Sequence, residues 1–108
     1  VPCGAFNNYV GPQGTLRHCP CNAIPGILGF GESWDVAGLV APRPMLTVNG
    51  REDAYHPVAE VDAAVARLRA IYRAAGSPGR YEHRYGDGGH RFYRNIMWPW
   101  IHAALAAL

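Results

Sequence analysis

The chain has 108 residues, of which 49% are hydrophobic and 17% charged, and its formal net charge is +2. That length allows one small domain with a modest core, and that hydrophobicity excludes a disordered chain. The ten basic residues are all arginines scattered along the chain, so the basic patch that nucleic-acid binding requires is missing, and no apolar stretch is long enough to span a membrane.

Val1-Pro2-Cys3-Gly4 carries neither the basic nor the apolar region of a secretory leader. Three cysteines (Cys3, Cys19 and Cys21) cannot all pair, and a Cys-x-Cys loop is too tight for a good disulfide. Free thiols in a reducing compartment are expected, which points to the cytoplasm. His18-Cys19-Pro20-Cys21 resembles half of a metal clip, but no second Cys or His pair stands at zinc-finger spacing. Neither a metal nor a cofactor is expected.

Residues 1–30 are punctuated by Gly, Pro and Asn and read as loops and short turns, with one short strand ending near Gly4. Ile27-Leu28-Gly29-Phe30 could be a further strand. Glu32 to Ala41 can form a short helix, with Trp34, Ala37 and Val40 or Ala41 on one face. Pro42 and Pro44 end it. Met45 to Val48 is an apolar strand of the kind covered on both faces. It stops at Asn49-Gly50, and the loop Arg51-Glu52-Asp53 follows.

Pro57 to Ala75 is the clearest helix. Pro57 sits in its first turn, where a missing amide is harmless. Val61, Ala64, Val65, Leu68, Ile71, Tyr72 and Ala75 form one apolar stripe. Gly76-Ser77-Pro78-Gly79 closes it. Arg80 to Tyr85 alternates and reads as a strand toward a sheet edge. A glycine-rich turn, Gly86-Asp87-Gly88-Gly89, leads to His90. Phe92 to Leu108 is apolar and helical, with Met97, Trp98, Ile101, Leu105 and Leu108 on its buried side, and Pro99 either begins this helix or kinks it. The order loop, helix, strand, helix, strand, helix predicts a parallel sheet with helices packed on it. Two or three strands cannot cover that much apolar helix surface, so the chain looks like the end of an α/β domain, completed by self-association into a homo-oligomer.

Asp35-Val36-Ala37-Gly38-Leu39-Val40-Ala41-Pro42-Arg43-Pro44, then Gly50-x-x-Asp53-x-x-x-Pro57, then Gly88-Gly89-His90-Arg91-Phe92, resemble the C-terminal part of α/β-hydrolases. The branch they resemble holds the bacterial acetyl-xylan esterases and dienelactone-hydrolase-like esterases, and His18-Cys19-Pro20-Cys21-Asn22 with Pro25-Gly26 resembles one of its loops. The resemblance covers essentially all of the chain as a single truncated domain, with 1–30 loop-rich and 31–108 an α-β-α-β-α unit. It implies a carboxylic-ester hydrolase acting on a small acyl ester, without nucleic-acid or membrane partners. In that family a Ser, an Asp or Glu, and a His form a triad in that chain order. The resemblance assigns the acid to Asp53 and the base to His90.

The family's Gly-x-Ser-x-Gly elbow is missing from these residues. Ser33, in Gly31-Glu32-Ser33-Trp34-Asp35, matches it except at the last position and is the candidate nucleophile. Its other reading is an N-cap or first-turn residue. Ser77 lies in a helix-ending turn, and Cys19 or Cys21 is a weaker choice. Asp53 also reads as a plain helix N-terminal acid, and Glu52 is the alternative acid. His56, just before Pro57, reads as a helix cap. His83 and His102 read as surface or packing residues. Trp34, Trp98 and Trp100 read as core or interface, or as a platform for a sugar ester. Two readings follow: an esterase, or an inactive C-terminal remnant of one that folds by self-association. A small binding module would need a coherent patch, which the sequence does not show.

Overall fold

The computed structural model describes residues 6–11 and 24–108. The three cysteines, the His18-Cys19-Pro20-Cys21 motif and the strand expected near Gly4 lie outside them. In chain order the elements are α1 (Ile27–Phe30), α2 (Ser33–Gly38), β1 (Met45–Gly50), α3 (Val58–Ala74), a 3-10 turn (Pro78–Arg80), β2 (Tyr81–Gly86) and α4 (Arg94–Ala106). The protein is a small α/β domain. Among the described residues the sheet has two strands, β1 and β2, paired in parallel with Met45 opposite Tyr81 and Gly50 opposite Gly86. Two parallel strands require a crossover, and α3 supplies it.

Alternation along β1 and β2 sorts their side chains onto two faces. On one face, Met45 and Tyr81 join Phe6 and the α3 stripe Val61, Ala64, Val65, Leu68 and Tyr72 in one core, with Trp34, Ala37, Val40, Ala41 and Ile71 against its margin. On the other face, Leu46 and Val48 meet Tyr93 and Met97, with Ile96, Trp100 and Ile101 beside them. Burying each Val or Leu contributes about 2 kcal/mol.

The strand and helix expected over 45–48 and 57–75 form, with shifted ends. β1 runs two residues further because Asn49 and Gly50 continue the ladder to Tyr85 and Gly86. Pro57 is the N-cap of α3, one position before its first turn. At the other end Gly76 (φ 69°) takes the left-handed conformation, and the amides of Gly76 and Ser77 donate to the carbonyls of Arg73 and Tyr72. That pattern stops a helix and needs glycine at its pivot.

Three expectations fail. Ile27–Phe30 is a single helical turn rather than a strand, because the amide of Gly31 returns to the carbonyl of Ile27. α4 begins at Arg94 rather than at Pro99, which stands inside it. Pro99 has no amide for the Asn95 carbonyl, yet both residues face solvent, where water can substitute. The buried side of α4 is also narrower than the apolar pattern suggests. Met97 is buried, but Trp98, Leu105 and Leu108 are exposed because two strands give the helix little to cover. No helix among the described residues is long and apolar enough to cross a membrane.

Candidate active site

The site forms where β1 and β2 both end. The loop after β1 is stitched to the loop after β2. The Arg51 amide donates to the Gly86 carbonyl at 3.0 Å, and the Glu52 amide to the Gly88 carbonyl at 2.8 Å. The backbones approach so closely that side chains are excluded. A Cβ on Gly50 would collide with the carbonyl oxygens of Gly88 and Gly89 and with Tyr93 Oη, and a Cβ on Gly86 would sit inside the Tyr93 ring. Tyr93 thus occupies the space that two glycines leave, and its hydroxyl donates to the Gly89 carbonyl at 2.7 Å. Arg91 lies 4.9 Å from the centre of the Tyr93 ring and donates to the Asp87 carbonyl, which braces the same turn.

This scaffold brings Asp53 and His90 together. Asp53 Oδ2 and His90 Nδ1 are 2.8 Å apart; the Asp53 side chain is fully buried, while that of His90 is 49% exposed. Asp53 Oδ1 accepts the amides of Tyr55 (2.9 Å) and His56 (3.2 Å). A carboxylate is an acceptor only, so Nδ1 of a neutral His90 must carry the proton, and the lone pair falls on Nε2. That is the tautomer of a general base. Glu52, the alternative acid, is exposed and contributes only its backbone amide to the loop.

Ser33 lies elsewhere in the network. It is the first residue of α2, whose N-cap is Glu32, and Glu32 and Asp35 form a reciprocal capping box. The Ser33 hydroxyl is buried and donates to the Asn7 carbonyl. Asn7 reaches on to His56, with its Nδ2 3.2 Å from His56 Nδ1, and to Glu60 at 3.4 Å. Ser33 and the histidine end of the site are therefore connected through Asn7 rather than directly.

His56 is the residue that sequence reasoning missed. No side-chain cap bond forms at the start of α3. His56 is instead 3% exposed, with its ring 5.4 Å from that of His90. Tyr55 meets the His90 ring edge-on at 5.4 Å. The spacing Asp53-x-x-His56 was the available signal, because a turn that returns the His56 amide to Asp53 must hold the two side chains near each other.

The remaining candidates pack or face solvent. His83 is desolvated on the α3 face, where Thr47 Oγ1 bridges His83 Nδ1 (2.8 Å) and Tyr81 Oη (2.9 Å). Burial holds the His83 imidazole down at about 4 and pushes the Tyr81 phenol up to about 12. Burial raises Tyr85 as well, reinforced by its 2.7 Å hydrogen bond to Asp62. His102 is exposed on α4 beside Trp98. Trp34 and Trp100 pack on the two cores, and Trp100 Nε1 donates to Glu82 at 2.9 Å. A surface cavity of about 730 Å³, lined by Arg43, Ser77, Arg80 and Leu108 among others, opens at the opposite end of the sheet and does not reach Asp53 or His90. Neither protein-family models, nor curated proteins, nor solved structures give a match to this chain.

Proposed function

We propose that the chain is the C-terminal part of an α/β-hydrolase of the acetyl-xylan-esterase and dienelactone-hydrolase-like kind, carrying the acid and the base of a carboxylic-ester hydrolase for small acyl esters. One observation carries the reading. A buried carboxylate and a half-exposed imidazole, 2.8 Å apart, follow the ends of two adjacent parallel strands in the order acid then histidine. In the proposed reaction His90 Nε2 takes the proton from the attacking hydroxyl and returns it to the leaving alcohol. Asp53 holds the imidazole and stabilises it when charged.

The hydroxyl is the open part of the proposal. Ser33 would have to turn away from the Asn7 carbonyl before it could attack. That bond favours the second reading, in which the chain is an inactive remnant whose nucleophile belongs to another segment or a partner chain. Self-association belongs to both readings, since Trp98 and Leu105 on α4 and Leu108 just beyond it stay exposed. Hydrolysis of p-nitrophenyl acetate by the chain, Ser33→Ala, His90→Ala and Asp53→Asn separates the readings. An esterase loses turnover in His90→Ala and falls about 10³- to 10⁴-fold in Asp53→Asn, where the imidazole tautomer is no longer held. Loss in Ser33→Ala identifies the nucleophile. Turnover no faster than buffer alone leaves the remnant.

A further inference from the structure

Asp53, His56 and His90 each present one ligand-type atom (a carboxylate oxygen and two ring nitrogens), and these atoms all lie within 4.8 Å of one another. Two imidazoles and a carboxylate are the donor set of three-ligand sites for zinc and related ions. We propose that these three residues form a site for a divalent transition-metal ion, which no general-base role for His90 requires and on which the hydrolase reading does not depend.

The surroundings are built as such a site needs. Asp53 is anchored through Oδ1 by two amides, which leaves Oδ2 aimed at the cluster. His56 is buried, and its ring is oriented by Asn7, itself fully buried and tied to Glu60. The Asn7 Nδ2 amide donates to His56 Nδ1 and so fixes the ring angle. Ligation through Nε2 would need Nδ1 to carry the proton and the Asn7 side chain to turn its buried oxygen, which has no partner among the described residues, toward it. Ligands around a tetrahedral ion with bonds of about 2.1 Å stand roughly 3.4 Å apart, so the cluster must contract. His90 is the member able to move, since its side chain is half exposed. The same exposure gives the ion its path in and leaves a fourth position open to water. On binding, the His90–Asp53 hydrogen bond is exchanged for coordination, and the ion's charge compensates the buried carboxylate. Metal binding and general-base chemistry at His90 therefore exclude each other.

The test uses the full chain, freed of metal with a chelator and titrated at neutral pH with Zn²⁺ by calorimetry and with Co²⁺ by absorption. His56→Gln, His90→Ala and His102→Ala are titrated alongside, with folding checked by circular dichroism. His90 is exposed, so His90→Ala is expected to fold even where a change at buried His56 does not. The expected result is one Zn²⁺ per chain, a Co²⁺ spectrum of nitrogen and oxygen ligation, at least 100-fold weaker binding in His90→Ala and in folded His56→Gln, and unchanged binding in His102→Ala. Absence of binding, a bound Co²⁺ with only thiolate charge-transfer bands, or affinity unchanged by His90→Ala would each overturn the proposal.

Discussion

The two faces of the sheet are filled in opposite ways. The α3 face combines a continuous apolar stripe with buried polar groups: Thr47, Tyr81 and His83 share hydrogen bonds there, and Asn49 is fully buried with no partner for its amide among the described residues. The α4 face is apolar at Leu46 and Val48 and then tapers to nothing at Gly50 and Gly86, where Tyr93 takes the vacated space. A full-length helix with a layer behind it builds the first face. The second is built by the start of a helix whose remainder stays exposed. The difference teaches that the site depends on the thinner face, because the turn carrying His90 is held by Tyr93 and not by the larger core.

The strongest way to break that comparison is to fill the taper. Gly50→Ala is expected to cost about 3 kcal/mol in urea unfolding, since two backbone carbonyls cannot step aside. Gly79→Ala, where a Cβ meets nothing within 4 Å, should stay within about 0.5 kcal/mol. Equal effects would mean that the loops are not packed as described. Next in size is a matched pair of truncations. Leu68→Ala, fully buried on the α3 face, should lose about 4 kcal/mol. Met97→Ala, on the thinner face where neighbours can close in, should lose about 2 kcal/mol. A reversed order would show that α4 contributes the main core.

His83 sharpens the comparison through pH. Its folded value is about 4 against an ordinary 6.5. As pH falls through 6.5 the unfolded chain takes up a proton that the folded chain refuses until about 4, so stability is lost across that window and no further below it. The loss assigned to His83 is on the order of 2 kcal/mol after solvent screening. It is read as the extra acid sensitivity of the native chain over His83→Asn. Matching acid sensitivity would show that His83 is not desolvated. The smallest stability effect belongs to Trp98→Gln, expected within about 0.5 kcal/mol because the ring is exposed. The same substitution should shift sedimentation toward smaller species if α4 mediates self-association. A native chain that already sediments as a monodisperse monomer would remove the oligomer from the proposal.

The legibility of the fold follows the same division. α3 and β1 were readable because a long stripe and an apolar run are local patterns. The meeting of Asp53 and His90 was readable because each follows a strand, and adjacent parallel strands bring such loops together. The role of Gly50 and Gly86 was not readable, because the residue that needs their space, Tyr93, lies far along the chain from Gly50, and from Gly86 across a turn whose path the sequence does not show. The His56 contact with His90 depends equally on that long-range stitching. The excess of apolar helix surface over strands was readable, but not that Trp98, Leu105 and Leu108 would be the residues left exposed, because periodicity reports which residues share a helix face, not whether anything lies opposite.

The two amides on Asp53 Oδ1 carry one further consequence. With that oxygen already occupied and the side chain shut away from solvent, the carboxylate has no other rotamer to sample and little hydration to shed. The cost of ordering it is met when the chain folds, before anything approaches His90. Within the Asp53–His90 pair, whether a hydroxyl or a metal ion arrives, the reorganisation left to do falls on the half-exposed imidazole.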